Sequence, residues 1–226
     1  MNLSYVDLFA IVWFFLIWIG YAYYAEMKGK KGKKSLMGIS RLNREDWWRA
    51  MLSRELRIVD ITVITNLSNS AIFFASTTLL ILGGLLAIIG TSENIIAVMN
   101  DMPFVANEEK ALWEFKLFLI FGIFVYAFFK FTWSLRQHNF CSVLVGAVPT
   151  SEDDEQKRSN FVKRAARISG SAADSFNYGL RAYYFALAAL SWFLNSWIFI
   201  TTVAIVVYIL YRREFHSSVL DDMAGF

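Results

Sequence analysis

The residues able to do chemistry are few, and they gather at one end of the hydrophobic segments. Glu55, Arg57, Asp60, Asn66, Asn69, Lys130, Arg136, Gln137, His138, Asp174, Asn177 and Arg181 all fall where apolar runs meet charged ones. An ionisable side chain at a membrane boundary needs a return for its desolvation, so such a cluster is a site hypothesis. Asp60, Asp174 and His138 are its acid/base candidates. The simpler reading is that Asp60 and Asp174 pair with Arg57, Arg136 or Arg181 and fix the fold, since structural ion pairs perturb charges as sites do. No nucleophile–base spacing is present. The two histidines, His138 and His216, lie far apart, and the single cysteine, Cys141, sits in an apolar run, which suits a small core residue. Nothing in these spacings calls for a metal or cofactor.

The elements that must position these residues read as membrane helices. Of 226 residues 57% are apolar, the mean hydropathy is +0.43, and Gly and Pro number only 12 and 2. This is more apolar than an ordinary soluble domain. The net charge of +3 is too small to argue for nucleic acid. Four spans are expected, over 5–25, 61–89, 111–131 and 182–211, in a single multi-pass domain. The last is too long for one minimal span and too short for two, which implies tilt or protrusion. Asn195 lies within it and is expected to bond another helix.

The second span is the expected spine of the bundle. At 100° per residue Thr62, Thr65, Asn66, Asn69, Ser70, Phe73, Ser76, Thr77, Leu80, Gly83, Gly84, Ala87 and Thr91 form one stripe, with Ile64, Leu67, Ala71, Phe74, Leu82 and Leu85 opposite. A stripe of small and hydrogen-bonding residues suits helix–helix contact, so this side is expected inside. In the third span Lys116, Ile120, Ile123, Ala127, Lys130, Ser134, Gln137, His138 and Cys141 share a face. Glu114 and Lys116 can snorkel or pair near its outer end.

The segments 26–57 and 132–181 are expected in the cytoplasm and 90–110 outside. Ten Lys and Arg lie in 26–57 and seven in 132–182, whereas the outer segments carry only Lys110 and the Arg212–Arg213 pair. This is a positive-inside bias that puts the N-terminus outside the cell membrane, and Arg212–Arg213 is the feature that disagrees. The Lys28–Lys34 run is a flexible cationic linker that suits anionic headgroups. Asn43, with Asp46 three residues on, is expected to open an amphipathic interfacial helix whose Trp47 and Trp48 sit among the headgroups. Glu55 falls in its apolar half, either paired or near enough to the surface to stay wet. A helical cytoplasmic cap continues the third span to Pro149. A further helix begins at a Ser151 cap, and its ISGSAAD stretch, Ile168–Asp174, suits close packing.

Phe73–Gly90 (FFASTTLLILGGLLAIIG), Lys130–Pro149 (KFTWSLRQHNFCSVLVGAVP) and Phe176–Phe193 (FNYGLRAYYFALAALSWF) resemble hallmark stretches of domain-of-unknown-function family 599. The resemblance runs from about Asp7 to Tyr211. It implies a four-span membrane protein and no established activity, so no functional residue carries over. The fold class read here is therefore all-α, an integral membrane four-helix bundle with an interfacial helix and a cytoplasmic cap. Three functions remain open: transport or conductance of a small molecule or ion, in a homo-oligomer; a non-catalytic scaffold or assembly subunit binding a partner through the cap; and an inner-face enzyme.

Overall fold

A computed structural model describes residues 4–29, 35–91 and 110–224. The expected outer loop 90–110 therefore lies almost wholly outside the described residues, as does the basic run from Lys30 to Lys34. All regular elements among the described residues are helical: α1 (Tyr5–Gly29), α2 (Leu36–Met51), α3 (Ile58–Gly90), α4 (Lys110–Gly146), α5 (Glu155–Leu190), α6 (Ser196–Phe215) and the short α7 (Ser218–Ala224). α1, α3 and α4 are each long and apolar enough to cross a membrane.

α4 is the central column. It packs on α3 along one side and on α5 along the other. Its expected inward face is buried at Lys116, Ile120, Ile123, Ala127, Ser134, Gln137, His138 and Cys141. α5 supplies small residues to that contact and to α2: Ser169, Gly170, Ala172, Ala182, Ala186 and Ala189 are all buried. The core between α1, α4, α5 and α6 is built of rings. Phe14, Phe131, Phe185, Trp192 and Phe199 are fully buried, and Trp192 stacks on Phe199 at 5.2 Å.

One contact there depends on a missing side chain. A Cβ at Gly179 would lie 2.6 Å from the buried Phe131 ring. Gly179→Ala would gain helix propensity in isolation, by about 1 kcal/mol. Overpacking against a ring with no free space reverses the sign, so a net destabilisation of about 1–2 kcal/mol is expected in denaturant unfolding of the detergent-solubilised protein.

Four expectations about the helices are corrected. First, the fourth span is not one helix over 182–211. α5 stops at Leu190, a single 3₁₀ turn covers Ser191–Phe193, and Asn195 takes an extended backbone, its side-chain oxygen accepting from the Trp197 N–H at 2.8 Å. Asn195 is thus the N-cap of α6 rather than a bond to another helix. The chain reverses there. Arg213, near the end of α6, donates to the Tyr184 hydroxyl, and Arg181 faces Glu214 at 3.6 Å. α6 therefore returns Arg212 and Arg213 to the end of the bundle that holds Arg181, which removes the disagreement in the charge count.

Second, α2 opens at Leu36, not Asn43, because the Ser35 hydroxyl accepts from the Gly38 N–H at 3.1 Å and caps the helix earlier. Third, α5 opens at Glu155 rather than from a Ser151 cap, since Asp153 is held in the preceding turn by the Thr150 N–H at 2.8 Å. Fourth, the polar stripe of α3 is not inside. Ile64, Ala71, Ala75, Thr78, Leu82 and Leu85 are buried against the bundle, whereas Asn66, Asn69, Ser76, Gly83 and Ala87 are exposed. α3 is a peripheral helix with one long neighbour: 17% of its most apolar stretch is buried, against 44% for α4.

Candidate functional site

The residues expected to form one cluster are divided among four places. Asp60, in the first turn of α3, is fully buried and ties α3 back to α2: it accepts from Trp47 Nε1 at 2.7 Å and from Arg54. The positive end of the helix favours a carboxylate at this position. Arg57 is half-buried at the N-cap of α3. Glu55 is exposed in the link between α2 and α3. It does not lie on an apolar helical face, because α2 has already ended at Met51.

The second place is the α4–α5 contact. His138 is buried, and its Nδ1 lies 2.9 Å from the Ser134 carbonyl, which puts the proton on that nitrogen. Gln137 donates to Ser171 at 2.7 Å and accepts from Ser175 at 3.1 Å, while the Ser134 hydroxyl donates to the Ala172 carbonyl. This network joins two helices and shares no member with the bonds of Asp60 or Asp174. Lys130 sits over the rings of Tyr126 and Tyr178, and Arg136 is exposed beside Phe140. Acid/base candidates thus do not converge. Among the described residues no three His, Cys, Asp or Glu side chains gather as a metal site.

The third place is a cavity of about 350 Å³ between α1, α2, α5, α6 and α7. Arg41, Arg44, Arg181 and Arg213 line it, together with Asp174, Asn177 and Glu214. Arg41 pairs with Asp174, and Glu214 accepts from the Met37 N–H at 3.0 Å. Burial lowers the pKa of the Arg44 guanidinium, with Cys141 and Asp174 acting against it. Beyond the apolar part of α6, burial raises the Glu214 carboxyl above the usual carboxylate range, against the Met37 amide and Arg181. Sequence reasoning named Asp174, Asn177 and Arg181 here and missed Arg41, Arg44, Arg213 and Glu214. The Arg212–Glu214 triplet directly after an apolar run was the available signal.

The fourth place is the outer face of α3, where Asn66 and Asn69 lie. Thr62, Ser70 and Thr91 bond carbonyls one turn back in their own helix, at 2.9–3.1 Å. Those hydroxyls are satisfied without a neighbour. The Asn66 and Asn69 amides make no such bond, and they have no partner among the described residues.

At the opposite end of the bundle four further residues form a clasp. Asp7 accepts from Trp192 Nε1 at 3.1 Å and from the Ser196 hydroxyl, and the buried Lys116 donates to the Trp192 carbonyl at 2.9 Å. Lys116 does not snorkel. It holds the α5–α6 turn.

Residues 9–219 match a family described as Protein of unknown function, DUF599. The chain belongs to the DUF599 family. Membership agrees with an all-α membrane protein and assigns no chemistry. No curated protein and no solved structure matches this DUF599 chain.

Proposed function

We propose that this protein is a non-catalytic membrane assembly subunit whose copies join side by side along α3, with the basic end in the cytoplasm. The observation that carries this reading is the spacing of the exposed face. Thr62, Asn66, Asn69, Phe73, Ser76, Leu80, Gly83, Ala87 and Gly90 follow one another at alternating intervals of four and three, and all are exposed. A strict seven-residue repeat of this kind is the seam of a left-handed helix pair.

The chemistry of the seam selects its partner. Apart from the adjacent backbone of α3 itself, nothing lies within 4 Å of where a Cβ would stand on Gly83 or Gly90, so a second backbone has room to approach. Asn66 and Asn69 sit toward the basic end and the glycines toward the other. A parallel second copy places amide against amide, each both donor and acceptor. An antiparallel copy would place the amides against Gly83 and Ala87, which offer nothing to bond. The ring-filled core argues against a conduit through one chain, and the readings as transporter and inner-face enzyme rank behind assembly for that reason and for want of convergent acid/base groups.

Asn66→Leu combined with Asn69→Leu tests this. Interhelical hydrogen bonds in membranes contribute about 0.6–2 kcal/mol each. The wild-type protein is expected to run as a dimer or larger species by light scattering in mild detergent, and the double variant as a folded monomer. A wild-type monomer across a tenfold range of detergent-to-protein ratio, a range of roughly 1.4 kcal/mol in association, would remove the proposal.

A further inference from the structure

We infer that the cavity lined by Arg44, Arg181 and Arg213 holds the phosphate of an anionic phospholipid, and that one acyl chain of the lipid lies in the groove between α1 and α6. This goes beyond assembly along α3, which lies on another helix and needs no ligand.

Three observations converge. The first is charge: four guanidinium groups line the cavity against the two carboxylates of Asp174 and Glu214. With Arg41 committed to Asp174 and Arg181 facing Glu214, the charges of Arg44 and Arg213 are left for an incoming anion. The second is unmet hydrogen bonding. The Arg181 side chain is only 7% exposed, and its Nη1 has no hydrogen-bond partner among the described residues. Arg44, another lining residue, likewise has a buried and unpartnered Nε. Buried N–H groups are satisfied in nearly all proteins, so these two call for an acceptor. Phosphate oxygens match the planar fork of a guanidinium, and several arginines can share one phosphate.

The third observation separates a lipid from a free phosphate. An apolar groove of about 440 Å³ runs between α1 and α6, lined by Leu16, Ile17, Gly20, Val207, Tyr208 and Tyr211. Tyr21 lines both this groove and the arginine cavity, and the Arg181 guanidinium lies over its ring at 5.4 Å. The floor of the groove is open at Gly20, where a Cβ would meet nothing within 4 Å. A soluble anion has no use for this groove. A phospholipid fills both spaces at once, with its head among the arginines and a chain between the helices. Such a site is distinct from diffuse attraction of headgroups to a lysine run, which discriminates charge but not chain.

The experiment is native mass spectrometry of the full-length protein released from detergent after addition of phosphatidylglycerol, of phosphatidylcholine of the same chain length, or of inorganic phosphate. Phosphatidylglycerol is expected to remain bound one per chain. Phosphatidylcholine is expected to bind about tenfold less, and inorganic phosphate is expected not to displace the lipid. Arg181→Gln should lower occupancy about tenfold, a loss of the size of one charge-assisted hydrogen bond. Because Arg181 also faces Glu214, two milder variants decide if that protein fails to fold. Arg213→Gln, at an exposed position, should weaken the charged end. Gly20→Leu should block the chain while leaving every arginine in place. Equal retention of the two lipids overturns the inference. So does unchanged retention in both Arg213→Gln and Gly20→Leu, or displacement of the lipid by inorganic phosphate, which would mark a site for soluble anions.

Discussion

Trp192→Ala is expected to destabilise the protein by about 3–5 kcal/mol and to open the α5–α6 hairpin. The indole is fully buried in the turn between the two helices. It stacks on Phe199 at 5.2 Å and 12°, and meets Phe115 edge-on at 6.2 Å. Its Nε1 is one of two donors to the buried Asp7, and Lys116 Nζ lies 4.9 Å from its ring. Truncation removes a ring, leaves a cavity, and weakens the only described tie between Asp7 and the hairpin to the single Ser196 bond. Trp192→Phe keeps most of the volume and loses the donor, so about 1–2 kcal/mol is expected from it. Denaturant unfolding in detergent measures both. If Trp192→Ala costs less than about 1 kcal/mol, the turn is not packed as described.

Trp48→Ala carries an effect of similar size at the other end, about 3–5 kcal/mol. Trp48 is fully buried: its Nε1 donates to Ser169 on α5 at 3.0 Å, and its ring meets Phe161 at 6.1 Å. An indole resting among headgroups would be nearly neutral to truncation. A buried one that docks α2 onto α5 is not. Loss of that anchor should loosen the α2 backbone, so that trypsin cuts at Arg41, Arg49 and Arg54 of α2 and its flank before it cuts elsewhere. Trp47→Ala should cost less, because Trp47 is half-buried and Asp60 keeps Arg54. Near-neutral behaviour of Trp48→Ala would mean that its indole does not anchor α2 to α5.

The two tryptophans show how far sequence alone reaches. An amphipathic helix was legible in α2, because residue spacing fixes which side chains share a face. What covers that face was not, since lipid headgroups and a second helix both accept an indole with its N–H bonded. The same limit explains α3 and α4. Both carry polar stripes. In α4 the stripe faces inward because α3 and α5 flank it on two sides, and Ser134, Gln137 and His138 find partners there. In α3 only α4 lies alongside for any length, and the apolar side wins that contact, so the amides are left outside. The hairpin escaped notice because its turn contains neither Gly nor Pro. It is coded by one capping Asn in an otherwise apolar stretch and by the arginine pair that follows. Half of the arginine cavity was hidden for the same reason: without the reversal, Arg213 and Glu214 cannot meet Arg181.

Disulfide scanning along α3 in native membranes measures the assembly seam without removing its amides. The one native thiol, Cys141, is buried and does not interfere. Cysteine at Ser76 or Gly83, one repeat apart on the seam, is expected to link two copies in high yield, while cysteine at the comparably exposed Ile205 of α6 is not. Equal linkage at all three positions, or linkage at Ile205 alone, would contradict assembly through α3.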